Sequence, residues 1–318
     1  MYPTFADLFK DLTGLQLPFP FTLIQSFGLL VACSFLFAAY FLTIELKRKE
    51  AQGLLKPFVK TTKKGEETIH PYQVVGNATI VAAIFGFLGS KIFDYLENPS
   101  EIVELFRHPS MNLFSGLTFY GGLIVAAFAV VYYTRKHGIP PIHMVDATAP
   151  SLMLAYGVGR IGCQVAGDGD WGINNFAPKP SWMRFLPDWC WAYRYPHNVV
   201  GEGIPIPGCE GNHCFQLPDP VFPTPLYEAF ACIILFFVLW SLRKKIVAPG
   251  VMFSFYLILN GLERSAIEQI RINTQYHIFG FGITQAQIIS PIIFLLGVIG
   301  VIYFSKKHKA KLESLKND

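Results

Sequence analysis

The sequence predicts an all-α polytopic membrane protein of about seven transmembrane helices, and three observations predict it. Apolar residues make up 52% of the chain and charged residues only 15%, a balance unlike that of ordinary soluble domains. The apolar residues gather in runs of about 20, the length of helix that crosses about 30 Å of hydrocarbon. The basic residues gather after alternate runs, as they do in cytoplasmic loops.

The first run lies near 23–44, and its basic residues Lys47, Arg48 and Lys49 follow it. That order, with no basic stretch in front, reads as a retained span rather than a cleavable signal. A basic loop, 45–73, adds Lys56, Lys60, Lys63 and Lys64. The second run, near 74–95, carries Lys91 and Asp94, and the lysine stem is long enough to snorkel or to meet the aspartate. The third, near 115–134, closes on Arg135 and Lys136. The fourth, near 143–165, holds Arg160, and a Pro-, Trp- and Gly-rich insertion follows at 167–222. The fifth, near 224–242, closes on Arg243, Lys244 and Lys245. The sixth, near 250–270, contains Glu263, Arg264 and Glu268, and the seventh, near 284–304, is the most uniformly apolar. Lys306, Lys307, Lys309, Lys311 and Lys316 come after it.

Residues 1–318 thus read as a single integral membrane domain. Seven crossings place all four basic clusters on one face, which the positive-inside rule makes cytoplasmic. The N-terminus is then outside, the C-terminus inside, and the 167–222 insertion forms an external head whose Trp182, Trp189 and Trp191 suit an interface with lipid headgroups. The net charge of +4 reflects this topology and excludes no membrane role while offering no argument for nucleic acid.

Ionisable side chains inside apolar spans cost a few kcal/mol each on insertion scales (about 2.5–3.5) and usually face a partner or a substrate. Counted by helix rise from the cytoplasmic end, Arg160 lies roughly 25 Å along the fourth span and Arg264 roughly 20 Å along the sixth. Both sit in the outer half of the membrane, with Arg271 near the interface. Asp94, Tyr120 and Glu228 stand at span ends on the same side. Asn260, Arg264, Glu268 and Arg271 draw one polar stripe at i, i+4, i+8 and i+11. The stripe allows Arg264–Glu268 and Glu268–Arg271 pairs. Arg160 has no acidic residue at its own i±3 or i±4 positions. At least one arginine is therefore expected to remain open for an anion, and guanidinium suits bidentate phosphate recognition. At an outer leaflet that anion is a phospholipid headgroup.

Several other patterns carry less. Gly157-Val158-Gly159-Arg160-Ile161-Gly162 matches a dinucleotide fingerprint in letters, but it lies inside a span without the strand and βαβ unit that motif needs. Gly167-Asp168-Gly169-Asp170-Trp171-Gly172 lacks the length and terminal glutamate of a calcium loop and reads as a tight turn out of the membrane. Cys190, Cys209 and Cys214 fall in the external insertion, where one disulfide and one spare thiol are expected; zinc held by Cys209, His213 and Cys214 is the alternative. Asp146 and the span cysteines Cys33, Cys163 and Cys232 read as structural.

At these residues the chain resembles the prolipoprotein diacylglyceryl transferase family, from the first span to the seventh. Gly159-Arg160-Ile161-Gly162 with Gly167-Asp168 and Trp171-Gly172 is similar to the family signature G-R-I-G-N-F-x-N-G-E-x-x-G. Tyr120-Gly121-Gly122-Leu123-Ile124 resembles H-G-G-L-I, Pro223-Thr224-Pro225-Leu226-Tyr227-Glu228 resembles P-T-Q-L-Y-E, and Arg264, Glu268 and Arg271 fit R-x-x-x-E-x-x-R. The resemblance implies transfer of diacylglycerol from phosphatidylglycerol to the lipobox cysteine thiol of a prolipoprotein signal peptide, with glycerol phosphate leaving. It implies an enzyme of the bacterial inner membrane with no cofactor and no metal. Arg160, Arg264 and Tyr120 take the catalytic positions, and Gly121, Gly122, Glu228, Glu268 and Arg271 join the two arginines in binding phosphatidylglycerol. The chain departs from the family at Tyr120 and Phe222, where histidines are usual, at Cys163 for asparagine, and at Gln25-Ser26-Phe27-Gly28 for H-W-Y-G. A phenol of ordinary pKa is a poor base at neutral pH, which leaves the general base unassigned. A non-catalytic lipid-binding or assembly homologue of the same fold is the alternative. A transporter is less favoured, since neither inverted repeats nor paired broken helices are evident.

Overall fold

A computed structural model describes residues 1–62, 65–99, 118–273, 275–278 and 281–317. The chain is mostly helical. Its helices are α1 Phe5–Thr13, α2 Ser26–Ala51, α3 Val75–Glu97, α4 Phe119–Lys136, α5 Pro141–Ala166, α6 Thr224–Leu242, α7 Val251–Ile267 and α8 Gln285–Asn317. A helix overlies each of the seven expected runs; the first residues of the third, 115–117, lie outside the described residues. Ser26–Ala51, Pro71–Glu97, Thr224–Leu242 and Gln285–Leu315 are long and apolar enough to cross a membrane by length and composition. The helices that carry Arg160 and Arg264 are not among these four: charged and polar residues dilute the first, and the second is only 17 residues long.

Burial is inverted relative to a soluble protein. Phe37, Tyr40, Ile84, Phe128, Phe237 and Leu295 are exposed, while Glu45, Lys49, Lys91, Asp94, Glu228, Glu263 and Glu268 are buried. Charged groups are almost never buried unless paired, and an apolar exterior around a charged interior fits a chain whose solvent is lipid.

The chain forms two compact units. The first comprises Met1–Ala38 and Thr148–Asp318, the second Ala39–Ala147. In the second, Leu42, Leu46, Val74, Val75, Ile139 and Met144 build the core. Strands β1 Phe58–Thr62 and β2 Gly65–Ile69 form an antiparallel hairpin in the basic loop, with Phe58 opposite Ile69. Its charges are paired locally. Arg48 grips Glu45 with Nε at 2.9 Å and Nη2 at 2.5 Å, and Lys91 Nζ donates to Asp94 at 2.9 Å, as its spacing predicts.

Helices α3 and α4 pack through glycines. A Cβ at Gly121 would stand 2.4 Å from Phe93 Cβ and 2.7 Å from the Gly89 carbonyl, and one at Gly122 would stand 2.3 Å from Ser90 Oγ. Such close backbone approach is how small residues join helices where no hydrophobic effect drives them together. Gly121→Ala is expected to lower stability by about 1–3 kcal/mol through overpacking, read as a lower thermal midpoint in detergent. An unchanged midpoint would mean that the two backbones already stand further apart.

The first unit joins α7 to α8 in the same way, with Gly261 against the Ser290 carbonyl and Gly297 and Gly300 against Ser254. Strands β5 Gln275–Ile278 and β6 Phe281–Thr284 form a hairpin between them. The 167–222 insertion is tied down rather than loose. Trp171, Tyr195, Leu217 and Val221 make its own small core, and strands β3 Ile204–Pro205 and β4 Phe215–Gln216 pair beside it. The spacing of its cysteines left the pairing open; the structure joins Cys209 to Cys214 and leaves Cys190 as a buried thiol.

Candidate functional site

Three segments of the first unit bring charged groups to one place. Helix α5 carries Tyr156 and Arg160 on successive turns. The chain then reverses through Gly167 and Gly169, both at positive φ, a conformation glycine adopts without Cβ strain. That reversal returns Asp170 toward Arg160. Helix α6 begins where Thr224 Oγ1 donates to the Asp170 carbonyl at 2.7 Å, and one turn later it presents Glu228, which is fully buried. Helix α7 supplies Arg264 and ends at Ile267, so Glu268 lies at its cap and the chain turns before Arg271.

Backbone pairing locks the turn in place. The Gly172 amide donates to the Phe222 carbonyl and the Ile173 amide to the Ile270 carbonyl, each at 2.9 Å. A Cβ at Gly172 would stand 2.4 Å from the Ile270 carbonyl, so only glycine lets these strands of chain meet.

The resulting network alternates cations and carboxylates. Arg160 Nε lies 2.5 Å from Glu228 Oε2, and its Nη1 donates to Asp170. Arg271 donates to Glu228 Oε1 at 2.8 Å and to Asp170. Arg264 Nη2 lies 2.9 Å from Glu268 Oε2, and its Nη1 is 3.8 Å from Glu228 Oε1. Tyr156 donates its hydroxyl to Glu228 at 2.6 Å. Glu268 also accepts from Asn273 at 2.9 and 2.8 Å and from Thr284. The three arginines thus face the three carboxylates Asp170, Glu228 and Glu268, one for each cation, while the buried Glu263 hydrogen-bonds to none of them. Balance matters, because a buried ion is sustained only by partners of opposite sign with good hydrogen bonds.

The geometry corrects two expectations. Arg160, which has no acidic neighbour on its own helix, is not left open: the turn and α6 supply its carboxylates. Arg271 does not pair with Glu268 along the stripe either, because the helix stops before reaching it. Arg160 Nε, Arg264 Nη1 and Arg271 Nε are each buried without a hydrogen bond among the described residues; Arg160 Nε still touches Glu228 at 2.5 Å, whereas Arg264 Nη1 stands 3.8 Å from it. Glu263, next to Arg264, is likewise buried with neither oxygen hydrogen-bonded. A polar cavity of about 320 Å³ opens beside the network, lined by Glu268, Gln269, Arg271, Asn273, Thr284 and Gln287 among others.

Of the site residues expected from sequence, Arg160, Arg264, Glu228, Glu268 and Arg271 meet here. Tyr120, Gly121 and Gly122 lie in the second unit, at the start of α4, where the two glycines serve the contact with α3. Sequence reasoning passed over Asp170 and Tyr156. A charge count does not single out Asp170, because Glu228, Glu263 and Glu268 already equal the three arginines in number.

Just outside the spans, two aspartates behave in opposite ways. Burial pushes the Asp170 carboxyl up, but Arg160 and Arg271 outweigh it and hold the group below its usual range. Burial and the charge of Asp170 raise Asp168, against smaller opposing effects of the Cys163 thiol and Arg160. Cys163, Asp168 and Asp170 bring ligand atoms within 4.8 Å of one another, the donor set best placed for a cation among the described residues. Both Asp170 oxygens, however, already face guanidinium groups.

A family model for prolipoprotein diacylglyceryl transferase matches residues 15–303. Among curated proteins, the chain is similar to a phosphatidylglycerol–prolipoprotein diacylglyceryl transferase of Leptospira interrogans, 25% identical with 94% of each chain covered. It is similar to that of Clostridium tetani, at 26% identity over 81% of this chain and 92% of the relative. For the Neisseria meningitidis protein the figures are 28%, 87% and 91%. The match spans all three network arginines, and on that extent the chain belongs to the prolipoprotein diacylglyceryl transferase family.

Proposed function

We propose that the protein transfers the diacylglyceryl group of phosphatidylglycerol to the lipobox cysteine thiol of prolipoproteins and releases glycerol phosphate. Three guanidinium groups gathered in one buried network, with an N–H edge of Arg264 unsatisfied, are the observation that carries this reading. Arg264 takes the lipid phosphate. Arg160, fixed by Glu228 and Asp170, adds positive potential behind it, and Arg271, Glu228 and Glu268 hold the frame. As the bond from carbon to phosphate oxygen breaks, charge accumulates on the departing phosphate. Donors already aimed at that position stabilise it without reorganising. The nucleophile is the substrate's own thiolate, so no covalent intermediate with the enzyme is needed.

On this reading the protein is a transferase of the bacterial inner membrane with seven crossings and a cytoplasmic C-terminus. The basic loop 45–73 is cytoplasmic, and the insertion 167–222 is the periplasmic head that receives the peptide. Tyr120 occupies a family histidine position and contributes a hydrogen bond to the reaction, and Gly121 and Gly122 hold its helix end in place.

Purified protein in phosphatidylglycerol-containing detergent, given a lipobox peptide, is expected to release glycerol phosphate and to increase the peptide mass by one diacylglyceryl group. A second reading, a non-catalytic lipid-binding homologue, is favoured by the carboxylates on every arginine and by Tyr120 and Phe222 at the histidine positions. Lipid binding by folded protein without glycerol phosphate release would select it.

A further inference from the structure

The proposed transfer leaves one step without an owner: the acceptor thiol must lose its proton. Both family histidine positions hold side chains unsuited to that task, a phenol at Tyr120 and a phenyl ring at Phe222. The carboxylates around the arginine network differ in what they have left to offer. Asp170, Glu228 and Glu268 are each bonded to a guanidinium, and Glu263, though without a hydrogen bond, has both oxygens buried out of reach of an incoming thiol. Asp168 has no ion pair among the described residues. It follows the left-handed turn at Gly167 and accepts only a long hydrogen bond, 3.4 Å, from the Asp170 amide, with the Cys163 thiol nearby.

Its place relative to the network is close. Arg160 Nη1 lies 3.6 Å from Cys163 Sγ, and that sulfur lies within 4.8 Å of the Asp168 carboxylate. A carboxylate without an ion pair therefore stands one side chain away from Arg160, with a thiol sulfur within 4.8 Å of it. The place of Cys163 shows that a sulfur can stand near this carboxylate.

We propose that Asp168 is the general base that takes the proton of the acceptor cysteine thiol. The inference rests on the proposed transfer. The S–H proton passes to the Asp168 carboxylate. The sulfur lone pair forms the thioether bond to the diacylglyceryl carbon, and the carbon–oxygen bond breaks with its electrons on the phosphate oxygen. Glycerol phosphate leaves with one more negative charge than the bound diester carried, and Asp168 returns its proton to water. The groups facing Asp168 are Asp170 and Arg160, with Cys163 and Tyr195 beside it. Burial and the Asp170 charge raise its pKa, which makes its ionised form a stronger base.

The test is Asp168→Asn in the full chain, assayed with phosphatidylglycerol micelles and a lipobox peptide, beside Asp168→Glu. Asparagine is expected to lower kcat by about 10²–10⁴-fold, while binding of a fluorescent phosphatidylglycerol stays within about two-fold of wild type. Glutamate is expected to restore part of the rate. Wild-type kcat should fall as pH drops through the raised carboxyl pKa, because only the ionised form accepts a proton. The asparagine variant should lose that limb and instead gain rate as the peptide thiol ionises itself near pH 8.5. Wild-type kcat in Asp168→Asn overturns the proposal, as does loss of lipid binding with no recovery at high pH, which would mark a structural role. Absence of transfer by the wild type overturns the transfer reading and this inference with it; transfer by the wild type and by Asp168→Asn alike overturns only this inference.

Discussion

Glu228→Gln is expected to be the most damaging single change in the protein. The Glu228 carboxylate is fully buried, accepts from Tyr156 and Arg271, and faces Arg160 at 2.5 Å and Arg264 at 3.8 Å. Glutamine keeps the volume but removes the charge, so three guanidiniums are left with Asp170 and Glu268. Breaking a buried pair by removing one partner costs about 3–5 kcal/mol, because the orphaned charge stays out of water. The thermal midpoint in detergent should fall sharply and transfer should be lost with it. Tyr156→Phe, which removes one neutral donor to the same carboxylate, should cost only about 1 kcal/mol. A Glu228→Gln protein as stable as wild type would mean that the arginines do not depend on one another, and the network would lose its structural meaning.

Arg264→Ala is expected to separate catalysis from folding. Arg264 shares Glu268 with Asn273 and Thr284, so its removal still leaves that carboxylate with three hydrogen bonds. The stability loss should therefore be much smaller than for Glu228→Gln. The rate is another matter, since the unsatisfied Nη1 edge is the group assigned to the phosphate. Loss of one donor aimed at a developing oxyanion typically costs about 10²–10³-fold in kcat. Steady-state release of glycerol phosphate measures it. Arg264→Lys should recover little, because an ammonium lacks the planar fork that meets phosphate through two N–H groups. Full activity in Arg264→Ala would place the phosphate grip elsewhere.

Much of the architecture was legible in the chain. Helix positions followed from apolar runs, and the fifth run, 224–242, coincides with α6. The third, fourth and sixth runs are helices too, but charges and small or polar residues dilute the third and fourth, and the sixth stops after 17 residues. Lys91–Asp94 and Arg264–Glu268 were legible because three- and four-residue spacings on a helix are local geometry. The role of Asp170 was not, since its partners depend on how a turn folds back. The glycines at 121 and 122 look alike whether they admit a ligand or a neighbouring helix, and only the position of α3 distinguishes the two.

By itself, then, the amino-acid order determined that this chain is built of helices suited to lipid and that its buried charges had to be answered by charges of opposite sign. Both follow from short-range chemistry: the cost of leaving a backbone polar group or an ion unpaired in hydrocarbon. Which carboxylate answers which guanidinium, and which N–H edge is left over, was decided by tertiary structure alone. Those pairings join α5, the turn after it, α6 and α7, and no periodicity within one helix records how separate segments converge.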